Sequence, residues 1–167
     1  IDAVNVFGNG HILPRGTLRE PLSHLERADV CLLTKVDQAE RGSIAYIKNK
    51  IAEYGHNPII VESIHQPQAC VELSEWVKNI ASEGTPIDTI RGRKVIALSA
   101  IGNPASFEQT LANAGADVIE SFRFPDHHEY TLEEIQDAVT QAVRQGAEAI
   151  VTTEKDAVKL PKLDEKD

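Results

Sequence analysis

The stretch KVIALSAIGNPASFEQTLANAGADVIESFRFPDHHEYTLEEIQDAVTQAVRQGAEAIVTT, residues 94–153, decides how this chain is read. Apolar runs at 94–99, 118–122 and 149–153 predict strands, and residues 106–114 and 131–145 carry apolar side chains at helical spacing. Strands alternating with helices of these lengths imply βαβ crossovers and therefore a parallel sheet. Thr131 followed three positions later by Glu134 can form a capping box, which would open the second helix. Phe124-Pro125-Asp126-His127-His128-Glu129-Tyr130 is thereby left in a strand-to-helix loop. Such loops lie at the carboxyl edge of a parallel sheet, where α/β proteins bind ligands.

Upstream the pattern is similar but more often interrupted. Ile1-Asp2-Ala3-Val4 reads as the tail of a strand, and with no Met anywhere in 167 residues the chain looks like a segment excised from something longer. Gly8, Gly10, Pro14, Gly16 and Pro21 punctuate 7–21 too often for a helix. A helical turn at 22–28 leads to the continuous apolar run 30–34, which fits a strand covered on both faces. Ile44, Ile47 and Ile51 give 43–54 a helical period ending at Gly55, and 57–63 predicts another strand. Val71, Trp76 and Ile80 allow a helix over 68–81, and Gly84, Pro86 and Gly92 mark 82–93 as a connection between lobes. The charge-rich end, 160–167, reads as disordered.

Composition excludes several functional classes. A hydrophobic fraction of 41% and a mean hydropathy of −0.26 describe a soluble globular chain, long enough for one domain or two small lobes. The longest apolar runs fall far short of the roughly 20 residues a membrane-crossing helix needs. A net charge of −9 argues against sequence-independent binding to nucleic acid, which requires clustered lysine and arginine. Cys31 and Cys70 have no CxxC spacing, so they read as buried thiols rather than zinc ligands.

Two polar clusters end apolar strands. In the first, a histidine could relay a proton or orient a carboxylate base, with Asp126 fixing the tautomer of His127 or His128. A solvated polar loop would carry the same residues. In the second, Glu154-Lys155-Asp156, the lysine could meet a phosphate and the carboxylates could hold it or face a metal. A helix N-terminus also favours acidic residues there without any ligand. Asn103-Pro104 is a further strand-end turn, structural or ligand-binding. Thr34-Lys35-Val36-Asp37 is similar to the base-reading TKxD of GTP-binding proteins, yet no phosphate-cradling GxxxxGK[ST] accompanies it.

Taken in order, FGNG (7–10), LPRGTLREP (13–21), IGNP (101–104), FPDHHEY (124–130) and TTEKDAVK (152–159) resemble the tetraacyldisaccharide 4'-kinase family, which phosphorylates the lipid A precursor. The resemblance implies an α/β fold with parallel sheets in three αβα layers, P-loop NTPase-like or Rossmann-like, here a fragment lacking the N-terminal P-loop. It implies that 1–82 form the later part of the nucleotide-binding lobe and 83–167 a smaller α/β lobe. ATP and magnesium (Mg2+) are the implied cofactors, and a tetraacyldisaccharide 1-phosphate, phosphorylated on its 4'-hydroxyl, is the implied substrate. The work would be done at the cytoplasmic face of the bacterial inner membrane, with membrane contact through the absent N-terminal part. Arg19 and Glu20 match positions near the nucleotide phosphates and metal, Glu20 being the candidate for magnesium. His127, in preference to His128, matches the histidine that pairs with a carboxylate base lying upstream of Ile1. The fragment alone is accordingly expected to be inactive. A GTP-binding module using Lys35 and Asp37, and a non-catalytic Rossmann-like domain, are the alternatives.

Overall fold

The computed structural model describes residues 1–78 and 83–161, and its chain contacts divide it into two compact units, Ile1–Gln66 and Pro67–Asp167. In the first unit, β1 (Val30–Leu33), α1 (Ser43–Tyr54) and β2 (Ile59–Glu62) make a βαβ unit whose strands pair in parallel, Val30 opposite Ile59 and Leu33 opposite Glu62. Residues at the chain start extend this ladder: Ala3 donates to the Thr34 carbonyl, and Thr34 donates to that of Ile1, both at 2.9 Å. The apolar stripe read in α1 is the face that packs, since Ile47 and Ile51 are buried against Ala3, Cys31 and Leu33. Gly55 ends the helix, its N–H bonded to the Ile51 carbonyl at 2.7 Å.

The expectation that 30–34 would be covered on both faces is not met. Cys31 and Leu33 are buried, whereas Val30 is 56% and Leu32 47% exposed. α1 and the 3-10 turn Leu22–Arg27 supply the cover, through Ile47, Ile51 and Leu25, on the Cys31–Leu33 side alone. β2 is exposed along its length.

The second unit begins with β3 (Ala69–Cys70), α2 (Leu73–Val77) and β4 (Thr85–Pro86). A helix over 68–81 does not form as read. Ala69 and Cys70 pair antiparallel with Pro86 and Thr85, and Cys70 packs against a cluster around Ile90, Ala97 and Leu111. This tertiary pairing overrides the helical spacing of Val71 and Trp76, and among the described residues of that stretch only Leu73–Val77 is helical. Ile80, like the charged stretch 162–167, lies outside the described residues. Because β3 pairs with β4, the segment from Pro67 is grouped with this unit.

The remainder follows the sequence closely: β5 (Lys94–Ser99), α3 (Pro104–Asn113), β6 (Asp117–Arg123), α4 (Leu132–Gln145), β7 (Ala149–Thr152) and the short α5 (Glu154–Ala157). β5 lies between β6 and β7, parallel to both. Its residues alternate between two cores. Ala97 joins Leu111 and Phe107 of α3, while Leu98 joins Ile135 of α4, with Val151 and Ile150 of β7 dividing the same way. A register shift between Val95 and Ile96 puts Val118 and Phe122 of β6 on opposite faces despite their even spacing. The second unit is thus a parallel sheet with a helix on each face, an α/β architecture in three layers.

Candidate functional site

The loops that follow β5 and β6 lie side by side at the carboxyl edge of this sheet, the edge where α/β proteins bind ligands. These loops are 100–103 and 124–130. The second is sewn to the first: Phe124 donates to the Ser99 carbonyl at 2.8 Å and His127 to the Ala100 carbonyl at 3.3 Å. Gly102 stands beside Asp126, so close that a Cβ there would lie 3.4 Å from Oδ2.

Within this loop the two histidines have different environments. The His128 ring stacks on Phe124 with centroids 4.8 Å apart, meets Tyr130 edge-on at 5.5 Å, and places Nε2 3.0 Å from Glu134 Oε2. Its side chain is 26% exposed. The His127 side chain is 76% exposed, on a backbone held at φ 66°, with Nε2 3.6 Å from Asp126 Oδ2. Left-handed backbone in a residue other than glycine is uncommon and persists where its surroundings fix it. His127 therefore presents an unencumbered imidazole, and His128 is part of the wall behind it.

Asp126 is gripped from the other side by Lys155, whose Nζ donates to Oδ1 at 2.8 Å. That hydrogen bond, with His127 adding to it, holds the Asp126 carboxyl below its ordinary value. Lys155 reaches Asp126 because Thr153 caps α5, its Oγ1 accepting from the Asp156 N–H at 3.2 Å. Asp156 turns inward and is fully buried. Its Oδ2 accepts from the Ala100 N–H at 3.0 Å and from Thr153 Oγ1 at 2.9 Å, while its Oδ1 takes Lys159 Nζ at 3.1 Å. Of the polar triplet after β7, Lys155 thus faces the loop, Asp156 anchors it, and Glu154 is exposed.

Burial, with the Asp156 charge second, pushes the Tyr130 phenol well above its usual range. Asn103 serves the fold, accepting from the Ser106 N–H at 3.1 Å as the N-cap of α3. Lys159 and the second role of Glu134 escaped the sequence reading. Glu134 forms the expected capping box with Thr131, but its carboxylate also takes His128, a contact that no helix-start pattern encodes.

Arg19 and Glu20 belong to the first unit and both are exposed. The Glu20 carboxylate is paired with Arg27 and lies 3.1 Å from His24 Nδ1. His24 first, and then Arg27, keep it below the ordinary carboxylate value. A surface groove of about 430 Å³ in the same unit is lined by Gly10, His11, Arg15, Leu18, Leu22 and Tyr54 among others. Lys35, left-handed at φ 58°, bonds Asp2 Oδ2 at 2.9 Å, and Asp37 sits in the 3-10 turn Val36–Gln38. Among the described residues, no three His, Cys, Asp or Glu side chains converge as a metal site would require. Nor is any helix among them long and apolar enough to cross a membrane.

The model of a single family, described as tetraacyldisaccharide-1-P 4'-kinase, matches residues 1–167, the whole chain. The chain belongs to the tetraacyldisaccharide 4'-kinase family. Among its relatives, the tetraacyldisaccharide 4'-kinase of Halothermothrix orenii is 37% identical over 167 residues, covering 98% of this chain and 44% of the relative. That of an Anaeromyxobacter species (strain Fw109-5) is 42% identical over 161 residues, covering 96% and 41%. That of Elusimicrobium minutum is 40% identical over 161 residues, covering 96% and 40%. The chain therefore spans about two fifths of the length of the curated relatives it matches. No solved structure matches it.

Proposed function

We propose that these residues are part of a lipid kinase that transfers the γ-phosphoryl group of ATP to the 4'-hydroxyl of a tetraacyldisaccharide 1-phosphate. The observation that carries this reading is the Asp126-His127 pair at the carboxyl edge of the sheet, with its ring open to solvent and its backbone fixed. Phosphoryl transfer asks a protein mainly to position the reactants and stabilise charge, with one group to manage the proton of the attacking hydroxyl. His127 fits that last task. Its imidazole can hold the proton or orient a carboxylate that accepts it, and the adjacent Asp126 carboxylate, engaged by Lys155, lies 3.6 Å from Nε2, where it can orient the ring.

Arg19 would grip phosphate oxygens through its guanidinium. Magnesium, which accompanies ATP in this reading, would be held with residues outside this chain, to which exposed Glu20 adds one carboxylate. The nucleotide-binding lobe is assigned to 1–82 and the smaller lobe to 83–167 on the same grounds. The lipid substrate places the work at the cytoplasmic face of the bacterial inner membrane, with membrane contact made by other parts of the enzyme. Lys35 is engaged with Asp2, and nothing in its setting favours a guanine-reading role over ATP.

The test is transfer of labelled phosphate from ATP to tetraacyldisaccharide 1-phosphate by the full-length enzyme that contains this sequence. Product phosphorylated at the 4' position supports the proposal; no transfer, or strict dependence on GTP, overturns it. Residues 1–167 alone, which carry no GxxxxGK[ST] sequence, are expected to give none.

A further inference from the structure

The TTEKDAVK segment has a feature that a phosphate-binding or surface role leaves unexplained. Asp156 is fully buried, yet its partners are a backbone amide and the side chains of Thr153 and Lys159. All of these contacts gather around one residue. Ala100 gives its N–H to Asp156 Oδ2, and its carbonyl receives both Lys159 Nζ at 3.5 Å and the His127 N–H at 3.3 Å. The left-handed backbone of His127 therefore shares its carbonyl acceptor with Lys159, which Asp156 holds at 3.1 Å, while the Ala100 N–H is taken by Asp156 itself. A buried carboxylate costs free energy unless fully paired, and this one is paired on both oxygens.

We infer that Asp156 is a positioning residue that holds the Ala100 backbone, its N–H directly and its carbonyl through Lys159, and thereby fixes His127 in its left-handed, outward conformation. The inference rests on the proposed part of His127 in phosphoryl transfer. Rotation of the Ala100–Ile101 peptide would release the His127 amide, and the loop would relax towards ordinary backbone angles.

The test uses the full-length enzyme with Asp156→Asn, His127→Ala and the double variant. Asparagine keeps the shape and one acceptor but removes the charge that holds Lys159. Asp156→Asn is expected to lower kcat on the order of a hundredfold, the cost of misplacing a reacting group by about an ångström, with KM for ATP and lipid little changed. Amide hydrogen exchange at His127 should quicken, and in the His127→Ala background the substitution should lower kcat no further. An undiminished loss in that background, or unchanged exchange at His127, overturns the inference. If His127→Ala leaves kcat intact, the proposed role of His127 fails, while faster exchange in Asp156→Asn would still uphold the coupling. Should Asp156→Asn not fold, Lys159→Met carries the same readings, because it removes only the ammonium shared by Asp156 and the Ala100 carbonyl.

Discussion

His127 and His128 are adjacent in sequence and nearly opposite in environment, and the difference comes from one backbone angle. With His127 at φ 66°, its neighbour is directed under Phe124 and onto Glu134. His128→Ala should therefore reduce stability by about 1–2 kcal/mol, through lost ring contacts and a lost hydrogen bond to a charged group, measured by urea unfolding. The same contact predicts an acid dependence. The Thr131 amide first, and His128 after it, hold Glu134 below its ordinary value of 4.5. A carboxyl lowered on folding adds stability that is present above the unfolded value and is lost as pH falls through the folded one. Unfolding midpoints should drop as pH falls below about 4.5, and Glu134→Gln should flatten that decline. The sequence alone barely separated the two histidines, and preference for His127 rested on its directly following Asp126. Asp156 was less legible still. An acidic residue in the first turn of a helix reads as a dipole partner, and only the tertiary contact with Ala100 shows it to be an internal anchor.

Elements buried on both sides declared themselves best. β5 runs from Lys94 to Ser99 as read, because an uninterrupted apolar run with helices on both faces leaves no competing period. α4 was equally plain, since Thr131 and Glu134 cap its start and left-handed Gly146 ends it. Thr131→Ala should cost about 1 kcal/mol of stability, the usual value of an N-cap side chain. Leu98→Ala, which opens a cavity between β5 and α4, should cost about 2–5 kcal/mol, and Val143→Ala on the exposed side of α4 should fall within about 0.5 kcal/mol of zero. Chemical denaturation of the three variants checks the order. Short or one-sided elements were misread for physical reasons. β3 is a two-residue ladder held by Thr85 and Pro86, and its neighbours Val71 and Trp76 happen to fall at helical spacing. The run at 30–33 looks like a doubly covered strand, but its cover is on one side only, a distinction carried by packing and not by the run itself.

At the scale of the whole molecule, each unit has its own apolar core around parallel strands, and the α/β class was legible from alternating periods alone. Function was not readable from any single motif. DHH fits a polar loop, EKD fits a helix start, and TKVD fits a turn; only their order along the chain, matched by relatives at 37% to 42% identity, gives them a joint meaning. The geometry adds that FPDHHEY, IGNP and TTEKDAVK meet at the carboxyl edge of the sheet in the second unit. The most direct test of that convergence is the rate of phosphate transfer from ATP to tetraacyldisaccharide 1-phosphate by the full-length enzyme, wild type against His127→Ala. The account predicts a fall in kcat of about 10²–10⁴-fold, the range of a lost general acid or base, with an unfolding midpoint close to wild type. An undiminished kcat in a correctly folded His127→Ala enzyme would contradict it.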